Sequence, residues 1–484
     1  MTEFRRTKIV ATIGPASESL EVLDQLIQAG VNVVRLNFSH GSPAEHKQRA
    51  ENVRAMAKKH GVCVGILADM QGPKIRIGKY KTGKTLLEPG QKYIIDGALG
   101  LDDGDDERVG LTYKELVGDV EPGARLLLND GLIVMDVDTV KGQEIHCTVV
   151  VGGVLSNNKG INRAGGGLSA AALTDKDKED IKTACAIGVD YIAISFPRNG
   201  ADMAYARSLV RAEGCNAGLV AKVERAEAVE NLESILEESD VVMVARGDLG
   251  VEIGDAAVPP VQKRILREAP KHNTPVIVAT QMMESMCENP IPTRAEVNDV
   301  ANAVLDGTDA IMLSGETAAG KYPLEAVQAM HRTCIATERQ EVLPSTQTRD
   351  PHYPPNSIDE CIARQAMEAS HMMQVTAIAA FTQSGNTALY MSRHVSRVPI
   401  YALTSEGRTA GRVTLFRNVI PKSVSADYGE KDAPQATRDV VSMMLYDELV
   451  KKDDLIIFSL GTPMGKAGGT NTMKIVRVAE VFDN

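Results

Sequence analysis

Two pairs of charged residues, Lys222 with Glu224 and Arg246 with Asp248, each follow a short apolar run in the stretch Leu219 to Gly250. If each pair continues its run as a β-strand, the two members point to the same face. The segment between the runs is Glu-rich and helical in pattern. A strand, helix, strand order makes a βαβ unit whose parallel strands deliver both pairs to one end of a sheet. Two hard carboxylates there suit a Mg²⁺ ion that keeps several waters and takes phosphate oxygens as its other ligands. Either pair alone would read as a surface salt bridge. Four such residues at matching strand ends point to a site.

Elements able to position them recur along the chain. Arg6 to Gly14, Val31 to Ser39 and Val62 to Asp69 read as strands, separated by helical patterns over Leu20 to Ala29 and Ala44 to Lys59. The rhythm resumes with a helix over Asp175 to Ile187. Strands then follow at Tyr191 to Phe196, Leu219 to Val223, Val241 to Ala245, Val276 to Ala279 and Ala310 to Leu313. Eight nearly continuous apolar strands, each followed by a helical pattern over roughly 250 residues, predict a TIM (β/α)8 barrel. An open doubly wound sheet would carry G-x-G-x-x-G after its first strand, where this chain reads TIGPAS. Barrel active sites form at the C-terminal strand ends. Those positions hold Thr12, Arg35 with Asn37 and Ser39, Asp69, Ser195, Lys222 with Glu224, Arg246 with Asp248, Thr280, and Ser314 with Glu316. A lone Ser or Thr there is often a helix N-cap, a reading that stands beside the functional one for Thr12 and Ser195.

Between Gln71 and Gly167 the helical period stops. Alternating or β-branched runs are separated by EPG, NDG and KGQ turns, which predicts an inserted all-β, barrel-like lid ending in the hinge Gly165-Gly166-Gly167. The expected plan is barrel over 1–70, lid over 71–167, barrel again over 168–340, a Pro-, Thr- and Ser-rich linker over 341–356, and a C-terminal α/β domain over 357–484. Net charge of −11 argues against a general nucleic-acid or anionic-membrane surface. Seven cysteines without paired spacing suggest reduced thiols in a soluble cytoplasmic protein. No apolar run approaches membrane-spanning length.

At the level of motifs the chain resembles the pyruvate kinase family. The resemblance rests on RLNFSHG (Arg35 to Gly41), DMQGPKIR (Asp69 to Arg76), AKVER (Ala221 to Arg225), ARGDLGVE (Ala245 to Glu252), ATQMMESM (Ala279 to Met286), PTRAE (Pro292 to Glu296) and MLSGETAAGKYP (Met312 to Pro323). It implies transfer of a phosphoryl group from phosphoenolpyruvate to ADP, giving pyruvate and ATP. Glu224 and Asp248 would hold Mg²⁺, with Mn²⁺ able to substitute, and Lys222 would stabilise charge on the phosphoryl group and the enolate. Arg35 would grip the phosphate. Thr280 with the backbone at Gly247 and Asp248 would take the substrate carboxylate. Thr280 and Ser314 would carry the proton path, through water. Asn37, Ser39, His40, Arg76 and Lys159 correspond to the nucleotide side, the last two from opposite ends of the lid. Arg246 and Glu316 read as structural.

Members of the family that need K⁺ bind it with groups matching Asn37, Ser39, Asp69 and the Met70 carbonyl, and commonly carry Glu where this chain has Lys74. An ammonium there would supply the charge K⁺ otherwise brings, so weak or absent K⁺ dependence is expected. Met70 also replaces a usual Thr. In relatives the loop matching Thr382, Ser384, Gly385, Asn386 and Thr387 binds the phosphate of an allosteric effector, and the family is usually a homotetramer. Two other readings are a Mg²⁺-dependent barrel doing carbon–carbon chemistry on pyruvate enolates, an aldolase or mutase, and an inactive paralogue that binds metabolites. The first would have no use for Arg76 and Lys159, and intact Lys222, Glu224, Asp248 and Thr280 speak against the second.

Overall fold

The computed structural model describes residues 4–339, 354–425 and 433–482. Eight parallel strands close into a barrel: Lys8–Ile13, Val33–Asn37, Gly65–Asp69, Tyr191–Ile194, Gly218–Val223, Val241–Ala245, Val276–Ala279 and Ala310–Leu313. Each pairs with its neighbours in sequence, and the first closes on the eighth through Lys8 opposite Ala310. Every residue of the first, third, fourth, sixth, seventh and eighth strands is buried. The reason is that helices cover one face and the barrel's own filling covers the other. Caps set the helix starts. Ser42, Thr174 and Thr293 each form a reciprocal capping box with the residue three positions on.

The lid forms a six-stranded and a two-stranded sheet. The NDG turn at Asn129-Asp130-Gly131 is a hairpin joining Arg125–Leu128 to Ile133–Lys141, with Asn129 and Asp130 both in left-handed backbone. The C-terminal unit is a five-stranded sheet, four strands parallel and the last, Thr470–Arg477, antiparallel to Leu455–Gly461. Between those two strands runs the Gly-rich stretch Thr462 to Gly469. Most of the expected linker, 341–353, lies outside the described residues. No helix among the described residues is long and apolar enough to cross a membrane.

The barrel's lower filling, including Val10, Val33, Leu67, Tyr191 and Val220, is continuous with the apolar core of the C-terminal domain. Several polar ties cross that seam. Lys8 Nζ donates to the Val419 carbonyl at 2.5 Å, the Tyr191 hydroxyl donates to the Arg412 carbonyl at 2.7 Å, and Arg393 pairs with Asp309.

At the other end the lid returns to the barrel through Gly165, Gly166 and Gly167, all at φ near +80°, a conformation that favours glycine. Gly167 N–H donates to Glu227, Gly165 N–H to the Glu252 carbonyl, and the lid's Asn162 to Glu252 Oε1 at 3.4 Å. Glu252 is 4% exposed, and its other oxygen has no partner. Burial pushes its carboxyl up to about 7, with Glu227 adding to the rise against the pull of Asn162 and Arg225. A carboxyl whose folded pKa is raised stabilises the fold fully below its unfolded value, near 4.5, and that contribution is lost as pH rises through about 7. The thermal midpoint of the wild type should therefore fall relative to that of Glu252→Gln between about pH 5 and about pH 8. A constant difference across that range would contradict the assignment.

Candidate active site

Lys222 is the penultimate residue of the fifth barrel strand, its side chain only 12% exposed. Its ammonium lies 2.7 Å from Ser195 Oγ, 2.9 Å from Glu224 Oε1 and 3.2 Å from Asp69 Oδ1. Those partners come from the ends of the fourth, fifth and third strands. The contacts continue around the rim. Asp69 Oδ2 accepts from Arg35 Nε at 2.7 Å, and Arg35 NH1 donates to Thr12 Oγ1 at 3.1 Å. Thr12 and Ser195 are not helix caps. Their hydroxyls donate to the carbonyls of Leu313 and Met70 while accepting from Arg35 and Lys222.

Burial opposes the charge on Lys222, but Asp69 and Glu224 outweigh it and hold the ammonium's pKa above the ordinary lysine value. Asp69 is likewise opposed by burial, and Lys222 and Arg35 bring it below the usual carboxylate range. Glu224 behaves otherwise. Burial pushes it up to about 7 despite Lys222, and Asp248 adds to the rise. Glu224 Oε2 accepts from the Phe196 amide at 2.9 Å, but Oε1 has no aligned donor beyond the Lys222 ion pair. The buried, under-partnered oxygen beside a second carboxylate is what a hard divalent cation would satisfy, so Glu224 and Asp248 fit Mg²⁺ as a donor set. No group of three His, Cys, Asp or Glu suited to a metal occurs among the described residues. A two-carboxylate site leaves the remaining positions to water and phosphate.

The second charged pair needs correction. Arg246 and Asp248 do not continue the sixth strand; Arg246–Ile253 is a helix, on which residues two apart diverge. Asp248 faces the cavity, with Lys74 Nζ 3.6 Å from its Oδ1. Arg246 turns away, both oxygens of Asp299 lying 2.7 and 2.9 Å from its NH1. Glu316 is buried and accepts the amides of Met283 and Ser314.

One cavity of about 710 Å³ gathers Thr12, Arg35, Asn37, His40, Asp69, Lys222, Glu224, Asp248, Thr280 and Ser314. Thr280 stands at φ +67° with its hydroxyl accepting the Gly247 amide at 2.8 Å. A neighbouring cavity of about 180 Å³ adds Ser39, Met70, Lys74 and Arg76. Lys159 lines neither. It sits beside Arg76 in the lid, its carbonyl accepting from Ile77 N while Arg76 bridges to Gly160. Sequence reasoning missed the far wall, where Gly14, Pro15, Glu45, Arg49 and Ala318 line the larger cavity. A Cβ at Gly14 would come within 2.6 Å of the Ala318 carbonyl, so the T-I-G-P turn was the available signal. In the C-terminal domain Thr382, Ser384 and Thr387 line a cleft with Lys466 and Thr470. Gly385 and Asn386 lie behind it, their amides donating to the hydroxyls of Thr382 and Ser384.

Comparison with known proteins agrees with this arrangement. Residues 4–327 match the family model described as pyruvate kinase, barrel domain, and residues 360–476 match pyruvate kinase, alpha/beta domain. The chain belongs to the pyruvate kinase family. It is 51% identical to pyruvate kinase II of Salmonella typhimurium over 98% of this chain and 99% of that one. It is 52% identical to the pyruvate kinase of Haemophilus influenzae over 90% of this chain and 93% of that one. A crystal structure of a pyruvate kinase from Cryptosporidium parvum superposes with a TM-score of 0.91 at 33% identity, covering 98% and 96% of the two chains. Membership of the pyruvate kinases sets aside the aldolase or mutase reading.

Ser195 is the residue whose standing the geometry changes most. A hydrogen bond to a charged group contributes roughly 1.5–3 kcal/mol. Ser195→Ala should therefore lower kcat by about ten- to a hundredfold, with KM changed far less. An unchanged kcat in steady-state kinetics would return Ser195 to a packing role.

Proposed function

We propose that this pyruvate kinase transfers the phosphoryl group of phosphoenolpyruvate to ADP in a Mg²⁺-dependent reaction, giving pyruvate and ATP as the final step of glycolysis in the cytoplasm. The supporting observation is the Lys222 ammonium fixed among Asp69, Glu224 and Ser195, beside the cavity-facing carboxylate of Asp248. In the reaction an oxygen of the ADP β-phosphate attacks phosphorus, the enol P–O bond breaks, and the enolate left behind is protonated at carbon. Such transfer needs positioning and charge neutralisation more than covalent help. Lys222, already oriented, stabilises the phosphoryl oxygens and the enolate without moving. Arg35, held by Asp69 and Thr12, grips the phosphate. Thr280 and the amides at Gly247 and Asp248 take the carboxylate. Gly247 N–H donates to Thr280 in the free site and is released for that purpose. Thr280 and Ser314, on one cavity wall, pass a proton to carbon through water. Mg²⁺ or Mn²⁺ held by Glu224 and Asp248 would supply charge neutralisation and orientation at the phosphate. Asn37, Ser39, His40 and Arg76 serve the nucleotide, and Lys159 joins them when the lid closes about its glycine hinge.

Lys74 occupies the cavity that Asn37, Ser39, Asp69 and Met70 line, within 3.6 Å of Asp248. Its ammonium stands in for a monovalent cation. In the C-terminal domain, the cleft of Thr382, Ser384 and Thr387 with Lys466 takes the phosphate of an allosteric effector, in a homotetramer.

A coupled assay for pyruvate formation from phosphoenolpyruvate and ADP tests the central reading. Turnover should require added Mg²⁺ or Mn²⁺ and fall by about two to three powers of ten in Lys222→Met. Turnover that survives in Lys222→Met, or in the presence of a chelator, would overturn it. In a Na⁺- and K⁺-free buffer, adding K⁺ should change wild-type activity little and should activate Lys74→Glu. Many-fold activation of the wild type would remove Lys74 from the cation's place.

A further inference from the structure

The described residues include a second large cavity that the reaction does not use. It measures about 560 Å³ and lies at the opposite end of the barrel, between the barrel and the C-terminal domain. Its barrel walls are Arg54 and Lys58 near the end of helix Pro43–Lys59, the approach to the third strand at Cys63 to Ile66, and Asp190 just before the fourth strand. The C-terminal domain contributes Arg408 from the helix Gly407–Val413.

The charges there do not balance. Arg54, Lys58 and Arg408 face one carboxylate, in a chain whose formal net charge is −11. Asp190 is already committed, because its Oδ2 accepts the Ile66 amide at 2.8 Å. Its Oδ1 is pressed against Gly411, where a Cβ would lie 2.0 Å away. Among the described residues no ion pair joins Asp190 to Arg54, Lys58 or Arg408, and burial lifts its carboxyl to about 6 against the pull of the Ile66 amide and of the Arg54, Arg408 and Arg412 charges. Arg54 NH2 donates to the Gly188 carbonyl. Among the described residues Lys58 and Arg408 take no hydrogen bond or ion pair. Cations from two domains thus face one space of ligand size with their charge unspent.

We propose that this cavity is a binding site for a small organic dianion, distinct from the active site and from the cleft at Thr382 to Thr387, and that its occupancy is coupled to the active site. The cations supply more charge than a single carboxylate would need. The apolar lining at Ala57, Val62 and Val64 suits a carbon frame rather than a bare inorganic ion.

The coupling follows from the elements. Helix Pro43–Lys59, about 25 Å long at 1.5 Å per residue, ends at Arg54 and Lys58 in this cavity and begins at Ser42 and Glu45, beside His40 and Gly41 in the active site. The third strand runs from the cavity at Ile66 to Asp69. The fourth runs from Asp190 to Ser195, whose hydroxyl holds Lys222. A dianion that draws Arg408 towards Arg54 and Lys58 therefore loads three rods that finish at catalytic positions. Linkage makes the effect reciprocal, so substrate must alter the dianion's affinity by the same factor.

Two probes separate the two sources of such charge: glycerol 3-phosphate as a phosphate ester and succinate as a dicarboxylate. Each is titrated calorimetrically into the full-length protein without substrates, in a Ser384→Asp background that repels anions from the C-terminal cleft. Saturable binding of either probe is expected, weakened at least tenfold by Lys58→Ala with Arg408→Ala. Both side chains are exposed, so the double variant should keep its thermal midpoint. Hydrogen exchange at the amides of His40 to Glu45 should change on binding and fail to change in the double variant. Absence of saturable binding by both probes would overturn the proposal, and so would binding that the double variant leaves intact. Because binding is read without turnover, either failure would leave the assignment of the phosphoryl-transfer site standing.

Discussion

A lysine ammonium buried with two carboxylates is the interaction that the upper half of this molecule is built to tolerate. Asp69 and Glu224 have side chains about 1% exposed, and Lys222 is nearly as enclosed. Ions removed from water cost several kcal/mol each unless partners and hydrogen bonds replace the lost solvent. No single strand could supply those partners. Asp69, Ser195 and Lys222 reach one another only because the third, fourth and fifth strands lie side by side in a closed sheet, with Asp69 opposite Ala193 in the register. Closure thus stabilises the cluster, and the cluster in turn fixes how the strand ends are aligned. A fifth strand slipped by one residue would point Lys222 into the surrounding helices, leaving Glu224 without its cation and Asp69 with Arg35 alone.

The opposite end is closed by different means. The barrel's filling runs on into the C-terminal domain, and polar ties cross the seam around it. Asp309 accepts from Arg393, from the Val276 amide and from the Arg417 amide, which ties the seventh and eighth strands to the docked domain. Burial drives the Lys8 ammonium down to about 7, so the bond it donates to Val419 is one made at the cost of desolvation.

The barrel was legible in the sequence because it is written in local pattern. The sixth, seventh and eighth strands begin and end where the apolar runs do, and the helix over Asp175 to Ile187 is bounded by a capping threonine and a left-handed glycine. Residues at the ends of strands could likewise be named. What sequence could not give was the direction of a side chain once the backbone changed period. The step from strand to helix falls between Ala245 and Arg246, so alternation holds for Lys222 and Glu224 and fails for Arg246 and Asp248. The far cavity wall at Glu45, Arg49 and Ala318 depends on contacts between distant segments, which no local spacing records. Sequence left Ser195 between a cap and a functional role because a hydroxyl before a helix is often a cap. Its partner is 27 residues away.

The failure at Arg246 also explains something at the site. Thr280 and Gln281 are consecutive non-glycine residues with φ of +67° and +53°, and for a β-branched threonine that conformation is costly, at roughly 1–3 kcal/mol. Arg246 is the group that offsets it. Its NH2 donates to the carbonyls of Thr280 and Gln281 at 2.6 and 3.1 Å, its Nε reaches the Ala279 carbonyl, and Asp299 balances its charge. Charge-assisted bonds of roughly 1.5–3 kcal/mol each are sufficient to hold the turn. That turn aims the Thr280 hydroxyl at the Gly247 amide, one residue beyond Arg246 itself. The arginine that faces away from the cavity is therefore what keeps a threonine facing into it.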